Sequence, residues 1–124
     1  MKNKTIAVIA TLDTKGPETA FVKLRIEAEG MTVLIVDTGI LEYRDPEAPR
    51  PDFTADQVAS EGGEDRTDLI SHAAEKETRN RGIKAMTAGS TAILKSLFDS
   101  GRICAVIGLG GAQSPTAPAP NNDA

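Results

Sequence analysis

The sequence predicts an α/β fold in which helices cover a parallel β-sheet, and three short apolar segments carry that prediction. These segments are residues 5–10, 32–36 and 103–107, and each is a continuous run rich in apolar and β-branched side chains. Strands that are buried on both faces of a parallel sheet have this composition. Helical patterns lie between the runs, which is the order of elements in proteins with a parallel sheet.

A helix is predicted between the first two strands. Pro17 is placed at the first position of the helix, where the N–H that proline lacks would have no partner in any case. Gly30 supplies the positive φ that ends many helices. The helix is therefore expected over residues 17–29, with one apolar stripe. The members of that stripe are Ala20, Phe21, Leu24 and Ala28. The order strand, helix, strand is that of a right-handed crossover unit.

The middle of the chain has a weaker pattern. Residues 40–64 are rich in acidic residues and prolines and have no convincing apolar period, so they are predicted to form a long loop. Two amphipathic helices are expected after it, around residues 66–79 and 84–100. Cys104 lies in the third apolar run and is predicted to be a buried strand residue.

Together these elements predict a Rossmann-like, three-layer parallel sheet that is truncated after its third strand. A length of 124 residues suits one hydrophobic core. Residues 1–112 are therefore assigned to a partial Rossmann-like nucleotide-binding domain. Residues 113–124 contain several prolines and no large apolar side chain, and this composition predicts a disordered tail.

Composition argues against several classes of partner. The net charge is −4, the 14 basic residues form no cluster, and only 3% of residues are aromatic, so a nucleic-acid groove is not expected. The apolar runs are far shorter than the roughly 20 residues that span a bilayer, and no signal peptide is visible, so a cytoplasmic protein is predicted. With Cys104 and His72 as the single cysteine and histidine, no disulfide or metal site is expected.

The candidate ligand site lies at the carboxyl ends of the strands, because ligands of open parallel sheets bind there, beside helix N-termini. Three segments follow the three strands and should meet at this edge: residues 11–16, 37–39 and 108–111. The first has the sequence TLDTKG, the second DTG and the third GLGG. Glycines in the third segment can form an anion-binding nest or can serve a simple turn.

The side chains of the first segment suit a phosphate. Thr11 and Thr14 offer hydroxyl groups, and Lys15 offers an ammonium beside a helix N-terminus. Asp13 can hold Mg²⁺ or a ribose hydroxyl, or it can be only a turn-forming residue. Asp37 resembles the acidic residue that binds a ribose in dinucleotide folds, although neither the G-x-G-x-x-G nor the G-x-x-x-x-G-K-[ST] fingerprint is present.

The segments TIAVIATLDTKG, VLIVDTGI and AVIGLGGAQ together resemble a family of ATP-binding proteins typified by the tomato protein that confers resistance to tomato mosaic virus. The resemblance covers about the first 113 residues. It implies an N-terminal Rossmann-like domain that binds ATP, followed in full-length members by a second α/β domain, and assembly into dimers. Mg²⁺ is a further candidate ion, because the Asp13 carboxylate can hold it. The nucleotide would then lie near the following residues: Thr11, Asp13, Thr14, Lys15, Gly108, Gly110, Gly111 and Gln113.

Three functions are consistent with these residues. The first is a nucleotide-binding module, the N-terminal part of a larger two-domain protein. The second is a fragment of an enzyme in which Asp13 and Lys15 assist chemistry together with a missing second domain. The third is a structural or oligomerisation domain without ligand. A sheet of three strands also presents an unpaired edge, which predicts a homo-oligomer in which a partner covers that edge.

Overall fold

A computed structural model of the protein describes residues 4–41 and 45–109. The described elements, in chain order, are β1 (Thr5–Ala10), α1 (Gly16–Ala28), β2 (Thr32–Asp37), α2 (Ala55–Glu61), α3 (Arg66–Ser71), α4 (Lys76–Asp99) and β3 (Ala105–Leu109). The strands form one parallel sheet in the order β2-β1-β3, so the predicted α/β fold class is confirmed.

Helices cover both faces of this sheet, which gives the predicted three layers. Alternate side chains of β1 point to opposite faces, as the two-residue period of a strand requires. Ala7 and Ile9 pack with apolar residues of α2 and α4, whereas Ile6 and Val8 pack with Ile26 of α1. β1 lies between its two neighbours and is buried at every position except Thr5, which is half-buried.

The outer edge of β2 is covered by the chain that returns toward α2. The backbone N–H groups of Asp52 and Phe53 both donate to the carbonyl of Ile35, over 2.8 Å and 3.0 Å. Phe53 in turn accepts a bond from the N–H of Asp37 and forms a parallel bridge with Val36. β3 forms the other edge of the sheet, and its side chains are exposed or half-buried.

The prediction of one long loop over residues 40–64 was wrong, because α2 lies inside that segment. A capping box begins this helix: the side chain of Thr54 accepts the N–H of Gln57, and the side chain of Gln57 accepts the N–H of Thr54. Capping boxes satisfy two of the N–H groups that a helix start leaves unpaired. Only seven residues long, α2 is too short to show an apolar period.

α1 has almost the predicted bounds, but its predicted apolar stripe does not face the core. Thr19 and Ile26 are buried against the sheet, and Val22 packs there as well. Phe21 and Leu24, in contrast, are 61% and 66% exposed. The buried side of α1 is therefore the side opposite the one that the sequence pattern favoured.

The last helices and β3 differ from prediction in their bounds. The helix expected over 66–79 ends at Ser71, and α4 is a single helix of 24 residues that begins at Lys76 and runs through the gap between the two predicted helices. Cys104 was predicted to be buried in a strand, yet it is exposed and precedes β3. Across residues 4–41 and 45–109, every helix is too short or too polar to cross a bilayer.

Candidate functional site

The segments that follow β1 and β2 meet at the carboxyl edge of the sheet. The N–H of Thr38 donates to the carbonyl of Ala10 over 2.9 Å, which continues the strand pairing beyond the end of β2. The N–H of Leu12 donates to the Asp37 carboxylate over 3.2 Å. Gly108, on β3, is the register partner of Ile9. The three predicted segments therefore begin side by side at one edge.

Asp37 organises the turn after β2. Its Oδ1 atom accepts the N–H of Gly39 over 2.9 Å as well as that of Leu12, so both donors reach the same carboxylate oxygen. Burial raises the pKa of Asp37, although these two backbone bonds oppose the rise. The negative charge of Asp13 adds to the rise, and the positive charge of Arg66 acts against it.

Asp13 is the second carboxylate at this edge, and it is 9% exposed. Its Oδ2 atom accepts the N–H of Leu41 over 2.9 Å, across 28 residues of chain. Gly39 lies between the two carboxylates: a Cβ on it would be 2.9 Å from Asp13 Cγ and 3.1 Å from Asp37 Oδ1. Any larger residue at position 39 would have to displace a carboxylate, so glycine permits the pair to approach.

Arg66, the first residue of α3, holds the same segment from the other side. Its Nε donates to the carbonyl of Gly39 over 3.2 Å, and one terminal nitrogen donates to the carbonyl of Leu41 over 2.6 Å. Its other terminal nitrogen lies 3.3 Å from a carboxylate oxygen of Asp56. Asp13, Asp37 and Arg66 therefore fix the backbone of residues 39–41 between them.

The turn between β1 and α1 presents a lysine at the start of the helix. The carbonyl of Thr11 accepts the N–H groups of Thr14 and Lys15, over 3.0 Å and 2.7 Å, and this closes the turn. Lys15 occupies the N-cap position of α1, and its own side chain makes no capping hydrogen bond. Among the described residues, its ammonium has no hydrogen-bond or ion-pair partner. The hydroxyls of Thr11 and Thr14 lie 2.9 Å apart and bond to each other.

Asp45 lies against the first residue of α1. A Cβ on Gly16 would be 2.9 Å from Cγ of Asp45 and 3.0 Å from its Oδ2 atom. Oδ1 of Asp45 accepts the N–H of Glu47, and the turn is anchored by Ala48, which packs on the α1 side of the core. A carboxylate from this turn therefore stands near the helix N-terminus, where anions are favoured.

Five of the predicted site residues are described: Thr11, Asp13, Thr14 and Lys15 lie in the turn between β1 and α1, and Gly108 lies on the neighbouring strand β3. Gly110, Gly111 and Gln113 lie outside the described residues. The contact of the Asp13 carboxylate with the Leu41 N–H is a long-range bond across 28 residues of chain, not a bond within the local turn. Within residues 4–41 and 45–109, no three His, Cys, Asp or Glu side chains cluster so as to hold a metal ion.

Sequence reasoning missed two charged residues at this edge, Arg66 and Asp45. Arg66 reaches its partners across 25 and 27 residues of chain, and no local pattern encodes such a contact. Asp45 is followed by Pro46, a dipeptide that favours a turn. That signal predicts a turn, but it does not say where the turn packs.

Comparison with known proteins assigns the chain to a family. Residues 4–119 match the N-terminal domain of an uncharacterised protein family, UPF0261. A UPF0261 protein of Clostridium tetani is 39% identical over 110 residues, which is 88% of this chain and 25% of that protein. The chain thus spans about a quarter of the length of the curated relative that it matches. No solved structure matches it.

These matches correct the resemblance drawn from the sequence. The assignment to the ATP-binding family typified by the tomato mosaic virus resistance protein was wrong, because both the family match and the curated relative belong to UPF0261. The motifs behind that resemblance, TLDTKG and GLGG, are short and rich in turn residues, and one fold hosts proteins of unrelated function. The chain belongs to the uncharacterised protein family UPF0261, whose N-terminal domain it matches.

Proposed function

We propose that the chain is a nucleotide-binding module, with ATP as the ligand to test first and Mg²⁺ as its accompanying ion. The observation that carries this proposal is the position of Lys15 at the N-terminus of α1, where its own side chain makes no capping hydrogen bond. Helix N-termini attract phosphate through free N–H groups and the helix dipole, and a lysine adds a charge-assisted bond. Thr14, exposed beside Lys15, offers a hydroxyl to the same anion.

A carboxylate, that of Asp37, lies at the end of the adjacent strand β2. It supports a ligand that has a phosphate at one end and a hydrogen-bond donor at the other. Asp37 ends β2, and the backbone donors that the described residues supply both reach Oδ1, so Oδ2 is proposed as the acceptor for a further donor. A ribose hydroxyl is such a donor, and acidic residues at the end of the second strand bind ribose in dinucleotide folds. Phosphates at α1 and a ribose at β2 would place the nucleotide across the ends of adjacent strands.

The glycine segment supplies the third part of the proposed site. Gly108 and Leu109 pair in register with Ile9 and Ala10, so β3 ends beside the turn that follows β1. Backbone N–H groups of Gly110 and Gly111 and the amide of Gln113 are proposed to contact the phosphates, and they lie outside the described residues. Glycine at such positions allows the backbone to approach a ligand closely.

Thermal unfolding with and without MgATP tests the proposal, with GTP, NAD and inorganic phosphate as comparison ligands. A ligand that binds only the folded state raises stability in proportion to the logarithm of its concentration over Kd. At a hundredfold excess over Kd the gain is about 2.7 kcal/mol, which moves the midpoint by several degrees. A rise with ATP that exceeds the rise with the other ligands supports the proposal, and indifference to every nucleotide overturns it.

A pair of lysine variants separates a site contact from general charge attraction. Lys15→Ala should weaken ATP binding by about 1 to 3 kcal/mol, the range of a charge-assisted hydrogen bond. Lys4→Ala is the matched control, because Lys4 precedes β1 and therefore lies at the amino edge of the sheet. Equal losses for the two variants would mean that Lys15 is not in the site.

A further inference from the structure

The outer surface of α1 carries an apolar stripe that no part of the described chain covers. Four residues form it, Pro17, Phe21, Leu24 and Ala28, and all four are exposed. Their spacings of four, three and four residues place them in one row along the helix. Leu24 and Phe21 are the two most exposed large apolar side chains among the described residues, at 66% and 61%. A contiguous exposed row of this kind indicates a contact surface.

The opposite face of α1 already supplies the contacts that the fold needs. Thr19 is fully buried, and Ile26 and Val22 pack into the core cluster on that side of the sheet. The guanidinium of Arg25 lies over the Phe21 ring, with 6.0 Å from its carbon to the ring centroid. This cation–π contact shields only one face of one ring. The row therefore remains available to a partner.

The charges beside the row are arranged to pair with a second copy of the same helix. Glu18 and Arg25 are exposed and follow Pro17 and Leu24 by one position, so they flank the row on the same side. If two α1 helices pack antiparallel with a twofold axis between positions 22 and 23, Phe21 faces Leu24 of the second copy. Glu18 then approaches Arg25 of the second copy, and the twofold axis repeats that pair.

We propose that α1 is an interface between two copies of this chain, packed antiparallel through the row Pro17–Phe21–Leu24–Ala28. A twofold contact uses the same patch on both copies and closes on itself, which a self-complementary charge pattern favours. One pair of 13-residue helices buries less than the roughly 1,200 to 2,000 Å² of a standard interface. The dimer is accordingly weak and dissociates on dilution.

Charge reversal tests this proposal. Sedimentation velocity from micromolar to near-millimolar concentration measures the dimer dissociation constant of each variant. Glu18→Arg alone and Arg25→Glu alone each place like charges together at both ends of the interface, so each should raise the dimer dissociation constant several-fold. The double variant Glu18→Arg with Arg25→Glu restores opposite charges across the axis and should recover the wild-type constant. If the two single variants dimerise more weakly and the double variant does not recover the wild-type dissociation constant, the antiparallel pairing is overturned.

The double variant also distinguishes pairing from damage to the helix. Glu18 lies in the first turn of α1 and Arg25 in the last, where each suits the helix dipole. Reversing both charges therefore destabilises α1 more than either single change does. The double variant should therefore have the lowest melting temperature of the three variants, although its dimerisation is restored. If the charge changes only damaged the helix, the double variant would lose both stability and dimerisation.

Apolar variants locate the contact on the surface. Leu24→Ser should abolish dimerisation, whereas Phe98→Ser on α4 should leave it unchanged, because Phe98 is 60% exposed and lies on the other side of the sheet. A third variant, Val106→Lys, probes the edge strand β3. A chain that stays monomeric at every concentration, or a dimer that only Phe98→Ser or Val106→Lys disrupts, would overturn the proposal.

Discussion

The buried carboxylate of Asp13 accepts the backbone N–H of Leu41 over 2.9 Å, which ties the turn after β1 to the segment after β2. Asp13→Ala removes the acceptor and leaves that N–H without a partner, so unfolding in urea should show a loss of about 1 to 3 kcal/mol. Asp13→Asn retains a carbonyl oxygen at this place and should lose less. An Asp13→Ala protein as stable as the wild type would mean that water satisfies the Leu41 N–H.

Alanine substitution at two glycines of α4 should have opposite effects on the stability of the protein. A Cβ on Gly89 would overlap the carbonyl oxygen of Val58 in α2, a backbone atom that cannot rotate away. Gly89→Ala should therefore lower the free energy of unfolding by about 1 to 3 kcal/mol. A Cβ on Gly82 would meet Ile40 at 3.6 Å, an ordinary contact. Gly82→Ala should therefore gain up to about 1 kcal/mol from helix propensity. Equal effects in chemical denaturation would contradict the close approach of α2 and α4.

The bounds of β1, β2 and α1 could be predicted from the local sequence. β1 and β2 were predicted nearly to the residue, because a strand buried on both faces has to be apolar throughout. α1 was placed within one residue by Pro17 and by Gly30, whose φ is +84°. α2 was missed, although the capping box from Thr54 to Gln57 is a local signal that could have located it.

What local sequence did not encode is which surfaces become covered. β3 has the composition of a buried strand, yet it is an edge strand, because burial depends on what packs against it. The same reason applies to Phe21 and Leu24 on α1. At the candidate site, Asp13, Lys15 and Gly108 were predicted to share one edge because parallel strands end together, whereas the long-range contacts of Arg66 follow from packing alone.

The raised pKa of Asp37 predicts a specific dependence of stability on pH. Burial raises the pKa from its ordinary value of 3.8, so the folded chain holds this proton more tightly than the unfolded chain does. The free energy of unfolding that Asp37 contributes therefore falls as pH rises from 3.8 through the folded pKa, and it stays lower above that pKa. Asp37→Asn keeps an acceptor for Leu12 and Gly39 but cannot lose a proton.

The stability of the Asp37→Asn protein relative to wild type should therefore increase across this pH window and level off above it. Urea unfolding at a series of pH values measures the difference directly. Glu47→Gln is the control, because Glu47 is an exposed carboxylate and the substitution changes the same formal charge. A relative stability that is flat, or that falls as the pH rises, would contradict the effect of burial on Asp37.

Asp45 gives a prediction that depends on the proposed nucleotide site. Its carboxylate lies against Gly16 at the start of α1, where it repels a phosphate and competes with it for the same place. Asp45→Asn removes the charge and keeps the oxygen that accepts the Glu47 N–H. Calorimetric titration with ATP should show affinity raised by about 0.3 to 1 kcal/mol, a factor of roughly two to five.

Glu47→Gln removes an equal charge from the same turn without touching Gly16, so it should change ATP affinity by less than Asp45→Asn does. Raising the salt concentration should reduce the difference between the Asp45→Asn and wild-type proteins, because salt screens exposed charges. Weaker ATP binding by Asp45→Asn, confined to solutions that contain Mg²⁺, would contradict competition. That result would instead indicate that the carboxylate at Gly16 helps to hold the ion that accompanies the phosphates.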